Sequence, residues 1–230
     1  MKHVYIAAVV ALFLALWPQA MHAGGQGGNV DLTSRRGCLA ALDYAESHLG
    51  NPADGQHNEQ AYLDLLEQIA ASGHLTGDDA LRPQYLLEDA RKNRIGSAAA
   101  DFDFVTADGV EHRLSDYQAP EILIYFNDPD CDACRLVKAR LDTCQAIKQR
   151  VESGSLAVIA VYTLDDEQAW RRATYPSYMV NGWNRSQSID DGLYSLPSMP
   201  LFYLLDSDKK VLLKNEPSLN AVLSALAKTR

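Results

Sequence analysis

Apolar residues recur every three or four positions between about Thr33 and Arg94, the spacing that places side chains on one face of a helix. The first two stripes consist of Cys38, Leu42, Ala45 and Leu49, and of Tyr62, Leu65, Leu66 and Ile69. A third helix is expected to begin near Pro83 and to carry the cations of 91–94 in its last turn. The pattern predicts an all-helical domain over 33–96, followed by a hinge of small residues.

After this hinge, the pattern changes to apolar runs typical of strands, separated by helical stretches. Phe102 and Phe104 alternate with aspartates, and Asp108-Gly109 indicates a hairpin turn. Further strands are predicted at 110–114, 122–126, 156–164, 201–205 and 211–213, and helices at 134–153 and 217–228. Residues 165–195 are expected to form one or two short helices and a loop rich in Trp and Tyr. The segment 101–230 is therefore predicted to be an α/β domain, with helices flanking a sheet.

The first 23 residues have the pattern of a secretory signal peptide. A weakly positive start precedes an uncharged apolar stretch over 4–17. Cleavage is expected after Ala23, which leaves a flexible leader over 24–32, and an uncleaved N-terminal anchor is the alternative. Either route predicts an exported protein of the periplasm or cell envelope, where disulfides can form.

Composition narrows the classes of partner and cofactor. The chain has 230 residues and a formal net charge of −9. Binding to phosphates needs a surplus of Lys and Arg, so the charge argues against nucleic acid as a partner. The sequence contains no phosphate-binding loop, serine triad or histidine pair at ligand spacing, and we predict no nucleotide or other cofactor.

The strongest candidate for chemistry is the pair Cys131 and Cys134, which follows the apolar run 122–126 and opens a helical pattern. Two cysteines three residues apart at a helix N-terminus can form a reversible disulfide. A zinc site is one alternative, but zinc takes four ligands, and the chain has neither a second CxxC nor a histidine pair. A structural disulfide is the other alternative. We predict catalytic roles for both cysteines and no metal site.

The expected chemistry distinguishes the two sulfurs. The helix N-terminus favours the thiolate of the more exposed Cys131, which would attack a partner disulfide, and Cys134 would then resolve the mixed disulfide. Three aspartates close by in the sequence, Asp128, Asp130 and Asp132, carry negative charge that disfavours this thiolate. Because a strongly oxidising dithiol stabilises its thiolate, the aspartates favour a reductase over an oxidase.

These features together resemble the thioredoxin-like domains of envelope thiol–disulfide reductases, the TlpA-like proteins. The resemblance covers about 101–230 and rests on 100–104, Asp108-Gly109, Leu114–Tyr117, the strand at 122–126, Cys131–Cys134, and Ser198-Met199-Pro200-Leu201 in the position of a cis-proline element. It implies a thioredoxin fold, in which a mixed central sheet is flanked by helices. It also implies a cis Met199–Pro200 bond that faces the dithiol and binds substrate. The implied partners are thiols and disulfides of envelope proteins and an upstream electron donor.

The chain departs from the thioredoxin pattern at Tyr125. Many thioredoxins carry a buried acid at this position, six residues before the first cysteine, which helps to remove the proton of the resolving thiol. Water or a different carboxylate would have to take the proton of Cys134 in this chain. The N-terminal helical segment resembles an uncharacterised domain that accompanies some of these proteins, and it implies no activity.

The other two cysteines, Cys38 and Cys144, lie on apolar stripes, and we expect both to be buried as free thiols. A disulfide between them, joining the two domains, is the alternative. Taken together, the residues and the resemblance predict an exported thiol–disulfide reductase. The alternatives are a non-catalytic binding module on a thioredoxin scaffold with a structural disulfide, and a disulfide isomerase or oxidase.

Overall fold

The computed structural model describes residues 30–229, so the predicted signal peptide and most of the predicted leader lie outside the described residues. The predicted helical segment is confirmed. It consists of α1 (Arg35–Tyr44), continued by a π-helical turn at Ala45–Leu49, α2 (Glu59–Ala71) and α3 (Asp78–Ala90). The N-cap residues of α1 and α2 are Ser34 and Asn58. The side chain of each accepts a hydrogen bond from the backbone N–H three residues later.

Helix α3 differs from its prediction at both ends. It begins at Asp78, well before Pro83, and it ends at Ala90, so the cations of 91–94 follow the helix. Pro83 has no N–H group, and the carbonyl of Asp79 therefore loses its helical partner. Burial of the Pro83 ring in the interior offsets this loss. The proline therefore lies inside the helix and does not mark its start.

Seven strands form one mixed sheet, as the fold prediction requires. They are β1 (Asp103–Val105), β2 (Glu111–Arg113), β3 (Glu121–Phe126), β4 (Leu156–Tyr162), β5 (Val180–Trp183), β6 (Leu201–Asp206) and β7 (Val211–Glu216). Their order across the sheet is β2-β1-β5-β4-β3-β6-β7. Strand β3 pairs in parallel with β4 and antiparallel with β6, and β4 pairs in parallel with β5. Strand β3 is therefore an interior strand of the sheet, and it ends five residues before Cys131.

Strand β5 was not predicted, because its sequence has neither a long apolar run nor clear alternation. Its pairing comes from both neighbours, since Val180 lies opposite Ile159 of β4 and Trp183 opposite Val105 of β1. Gly182 allows the ring of Phe104 to approach closely, since a Cβ at this glycine would lie 2.4 Å from Phe104 Cδ2. This strand depends on tertiary contacts rather than on local propensity.

Four helices accompany the sheet: α4 (Asp132–Thr143), α5 (Gln145–Glu152), α6 (Glu167–Arg172) and α7 (Leu219–Lys228). The single helix predicted over 134–153 is wrong, because the chain breaks at Cys144 with φ −78° and ψ 95°. Leu141 and Ile147 both belong to the core on this side of the sheet. Their spacing of six residues would place them on different faces of one straight helix, and the break allows both to be buried.

The two faces of the sheet bury separate cores. Along β3, Ile122, Ile124 and Phe126 belong to one core, and Leu123 and Tyr125 belong to the other. The second core also contains residues of α4, α5 and α7. Every residue of β3 is buried, as expected for a central strand covered on both faces.

A buried lysine joins the helical segment to the sheet. Lys214 lies on β7 with 7% of its side chain exposed, and its ammonium group donates to Glu59 Oε1 at 3.1 Å. The same group donates to the carbonyl oxygens of Ala90 and Lys92, at 2.9 and 2.6 Å. These carbonyls lie at the end of α3, where no helical partner is available.

Within residues 30–229, no helix is both long enough and apolar enough to cross a membrane.

Candidate functional site

The pair of cysteines lies where β3 ends and α4 begins. Cys131 is the residue that caps α4, and its Sγ accepts a hydrogen bond from the backbone N–H of Cys134 at 3.3 Å. This N–H belongs to the first turn of the helix, where donors lack helical partners and carry partial positive charge. The Cys131 side chain is partly exposed. The sulfur of Cys131 is therefore accessible and lies at the N-terminus of α4.

The second cysteine is in a different environment. Cys134 is 2% exposed, and its Sγ accepts a hydrogen bond from the backbone N–H of Asp128 at 3.5 Å. Burial raises the pKa of Cys134 to about 12, and the charges of Cys131 and Asp128 act in the same direction. Cys134 is thus a protonated, buried thiol, as a resolving cysteine requires before the mixed disulfide forms.

The loop that holds Met199 and Pro200 faces the dithiol. The Met199–Pro200 peptide bond is cis, and the Met199 carbonyl oxygen lies 3.8 Å from Cys131 Sγ. The antiparallel register explains this proximity, because Leu201 at the start of β6 lies opposite Phe126 at the end of β3. The structure therefore brings together all four residues predicted for the site: Cys131, Cys134, Met199 and Pro200.

A buried hydrogen-bond network supports the resolving cysteine, and the sequence pattern indicates only part of this network. Tyr125, the residue that replaces the usual acid, donates its hydroxyl to the Cys134 carbonyl at 2.8 Å. Asn127 donates to the Tyr125 carbonyl at 3.1 Å and accepts the hydroxyl of Tyr175 at 2.7 Å. Burial raises the pKa of both tyrosines, so neither can take a proton at neutral pH. Nothing in the sequence pattern indicates that Tyr175 contacts this site.

The charges around the dithiol are more balanced than the sequence suggests. Arg135 forms an ion pair with Asp132 and donates to the Asp130 carbonyl at 3.2 Å. The Asp128 carboxylate accepts the backbone N–H of Asp130 at 2.9 Å. Both side chains of the Arg135–Asp132 pair are largely exposed, so solvent screens its effect on Cys131. Asp128 is only partly exposed, and its charge acts on Cys134 more directly.

The remaining cysteines lie in separate cores. All four cysteines are free thiols. Cys38 is buried among the helices of the N-terminal segment, where Ser72 Oγ lies 3.3 Å from its sulfur. Cys144 packs against the sheet core that contains Leu141, but it is only partly buried, so the expectation of a buried thiol is confirmed for Cys38 alone. The structure therefore has no Cys38–Cys144 disulfide.

No group of three or more potential metal-ligating side chains occurs among residues 30–229.

Comparison with known proteins shows the family. No family model matches the sequence, and no curated protein gives a significant match. The chain is similar to the structure of a thioredoxin-like protein from Bacteroides caccae, with 30% identity and a TM-score of 0.81 over 86% of this chain and 73% of that protein. A conserved protein of unknown function from Bacteroides fragilis matches with 33% identity and a TM-score of 0.55, over 58% of this chain and 98% of that one.

A third structure shows the fold alone. It is a domain of a possible thiol-disulfide isomerase from Cytophaga hutchinsonii, with 19% identity and a TM-score of 0.50 over 60% of this chain and 97% of that domain. The mixed sheet, the preceding helices and the match along most of the chain define a thioredoxin-like protein. The chain belongs to the thioredoxin-like family.

The different environments of the two thiols predict selective alkylation. Brief treatment of the reduced protein with iodoacetamide at pH 8 is expected to label Cys131 and to leave Cys134 unmodified. Burial holds the pKa of Cys134 well above this pH, so its thiol stays protonated, and the side chain is also shielded from the reagent. Peptide mapping by mass spectrometry measures the labelling, with the protein unfolded in urea as the control. Equal labelling of both cysteines in the folded protein would contradict the prediction.

Proposed function

We propose that this protein is a thiol–disulfide oxidoreductase that reduces disulfides in proteins of the cell envelope. The observation that carries the activity is the position of Cys131 Sγ. It is accessible, accepts the N–H of Cys134 at 3.3 Å and lies 3.8 Å from the Met199 carbonyl oxygen. A client backbone that passes over the Met199–Pro200 loop would therefore present its disulfide directly to the nucleophile.

The reaction proceeds in two exchange steps. The Cys131 thiolate attacks one sulfur of the client disulfide, the client S–S bond breaks, and a Cys131–client mixed disulfide forms. Cys134 then attacks the sulfur of Cys131, its proton passes to the departing client thiolate, and the Cys131–Cys134 disulfide forms. Two electrons have moved from the protein to the client. An upstream dithiol donor returns them and restores both thiols.

The charges near the site support the direction of this proposal. A strong oxidant is one whose reduced form is stabilised through a very acidic nucleophilic thiol. Asp128, Asp130 and Asp132 oppose such stabilisation of Cys131, and Arg135 compensates only the exposed Asp132 by an ion pair. The envelope location is supported by the signal-peptide pattern of residues 1–23.

Two measurements test the proposal. Catalysis of insulin reduction with dithiothreitol as electron donor tests the activity. Equilibration of the protein with glutathione buffers tests the direction, and we expect a reduction potential more negative than about −200 mV. A potential near about −120 mV would indicate an oxidase instead. Absence of any acceleration of insulin reduction would favour the binding module with a structural disulfide.

A further inference from the structure

A cleft of about 350 Å³ lies between the helical segment and the loop that leads to Met199. One wall comes from the helical segment and includes Tyr62 and Leu86. The opposite wall consists of loop residues that include Pro197 and Ser198, together with residues from the end of β7. The helical segment thus forms part of a cavity beside the predicted substrate-binding loop.

The cleft lies at the same end of the sheet as the dithiol. Phe126 at the end of β3 pairs with Leu201, and the next residue, Phe202, pairs with Glu216 at the end of β7. Neighbouring strands are about 4.8 Å apart, so the ends of β3 and β7 are separated by roughly 10 Å. An extended polypeptide spans about 3.3 Å per residue. The Met199 carbonyl oxygen lies 3.8 Å from Cys131 Sγ, and Ser198, the residue before Met199, lines the cleft. A side chain about three residues from a client cysteine can therefore reach the cleft while that cysteine lies at Cys131.

The lining of the cleft has an excess of negative charge. Its carboxylates are Glu46, Glu59 and Asp89, and Lys214 is the one Lys or Arg among the lining residues. The ammonium of Lys214 is already held by Glu59 and two carbonyl oxygens. The other ion-pair partners, Arg82 for Glu46 and Lys92 for Asp89, are not among the lining residues. Both oxygens of Asp89 are engaged, because the carboxylate accepts from Lys92 and from the hydroxyl of Ser195. A carboxylate has about four acceptor sites, so Glu46, which pairs with Arg82, can take a second donor.

The lining also suits the apolar stem of a long cationic side chain. The ring of Tyr62 and the side chains of Leu86, Ile95 and Pro197 line the cleft, and Ile95 is 55% exposed. The pKa of Tyr62 is raised to about 12, mainly by burial; the charges of Glu46 and Asp89 also raise this pKa, and Arg82 lowers it by less. The Tyr62 hydroxyl therefore lies in a negative potential. Lysine and arginine bury their methylene groups against such surfaces and keep the cation near carboxylates or an aromatic ring.

We propose that this cleft binds a lysine or arginine side chain of the client polypeptide, about three residues from the client cysteine. The helical segment then selects clients, and the thioredoxin-like domain carries out the exchange. This inference rests on the proposed function, since it assigns the cleft to the same client whose disulfide meets Cys131.

Peptides that differ in one residue test the proposal. Each peptide carries one cysteine joined to thionitrobenzoate by a disulfide, and Lys, norleucine or Glu three residues from that cysteine. Reduced protein supplies both electrons in a single turnover, and absorbance at 412 nm measures the released thionitrobenzoate. An ion pair of this kind predicts that the Lys peptide reacts about threefold faster than the norleucine peptide, with the Glu peptide slowest. The difference should shrink in 1 M NaCl, because salt screens the charges.

Two matched variants locate the effect. Ile95→Lys places a cation at the cleft, and it should abolish the preference for the Lys peptide and accelerate the Glu peptide. Leu81→Lys is the control, because Leu81 is 60% exposed, lies on α3 and does not line the cleft. Both variants replace an exposed aliphatic residue and change the net charge equally. Equal effects of the two variants would overturn the proposal, as would equal rates for the three peptides. Faster reaction of the norleucine peptide would assign an apolar side chain to the cleft and would also overturn it.

A separate measurement distinguishes failure of the cleft from failure of the proposed function. If the folded protein releases thionitrobenzoate from none of the peptides, the oxidoreductase function fails. Fluorescence anisotropy of labelled, cysteine-free Lys and Glu peptides then tests the cleft without any exchange reaction. Tighter binding of the Lys peptide, lost in Ile95→Lys and kept in Leu81→Lys, supports the cleft. Equal binding of both peptides overturns it.

Discussion

Replacing Cys131 by serine is expected to abolish the acceleration of insulin reduction, with a loss of at least about 10³-fold. A serine hydroxyl does not ionise near neutral pH and cannot form a disulfide, so the first exchange step has no nucleophile. The side chain is partly exposed, and the substitution changes little of the packing. The measurement is the rate of insulin precipitation with dithiothreitol, corrected for the reaction without protein.

Two further cysteine variants serve as controls for this result. Cys134→Ser keeps the nucleophile and removes the resolving thiol, so it should accumulate a mixed disulfide with a client that non-reducing gel electrophoresis detects. Cys144→Ser should keep the wild-type rate, because Cys144 packs against the sheet core rather than at the dithiol. Activity of Cys131→Ser close to that of the wild type would refute the assignment of the nucleophile.

Replacing Lys214 by methionine is expected to lower the free energy of unfolding by about 3 kcal/mol. Methionine keeps most of the apolar stem but removes the ammonium group, which holds Glu59 and the carbonyl oxygens of Ala90 and Lys92. Those acceptors would lose a buried donor, and leaving buried polar groups unpaired costs more than the net gain from a hydrogen bond. Urea denaturation followed by circular dichroism measures the change.

The control for Lys214→Met is Lys210→Met, because Lys210 is exposed and lies immediately before the same strand, β7. This variant should change the free energy of unfolding by less than about 0.5 kcal/mol. A similar loss in both variants would mean that any lysine-to-methionine change in this hairpin is destabilising.

The elements that were predicted correctly have strong local signals. The apolar runs at 122–126 and 201–205 form β3 and β6, and the turn at Asp108-Gly109 separates β1 from β2. A strand covered on both faces needs an uninterrupted apolar run, and a tight hairpin turn needs a residue with positive φ, which Gly109 supplies at 83°. Such requirements involve neighbouring residues only, and they can therefore be recognised in a single sequence.

The elements that were missed depend on distant partners. Strand β5 exists because β1 and β4 offer hydrogen bonds on either side, and Gly182 only makes room for a ring. The break at Cys144 arises because two core positions must both be covered. Pro83 lies inside α3, although local preference places proline in the first turn, because its ring is buried. In each case, packing outweighs local preference, which differs between conformations by only about 1–3 kcal/mol.

The sequence by itself determined the Cys131–Cys134 pair and the strand and helix that hold it, because all of them lie within one continuous stretch of the chain, from Glu121 to Thr143. Only the tertiary structure decided that Met199 approaches Cys131, that Asn127 and Tyr175 join Tyr125 beneath Cys134, and that Lys214 meets the end of α3. These contacts join residues between 48 and 124 positions apart along the chain. Their formation depends on strand order and register, which follow from simultaneous burial of both sheet faces rather than from any local pattern.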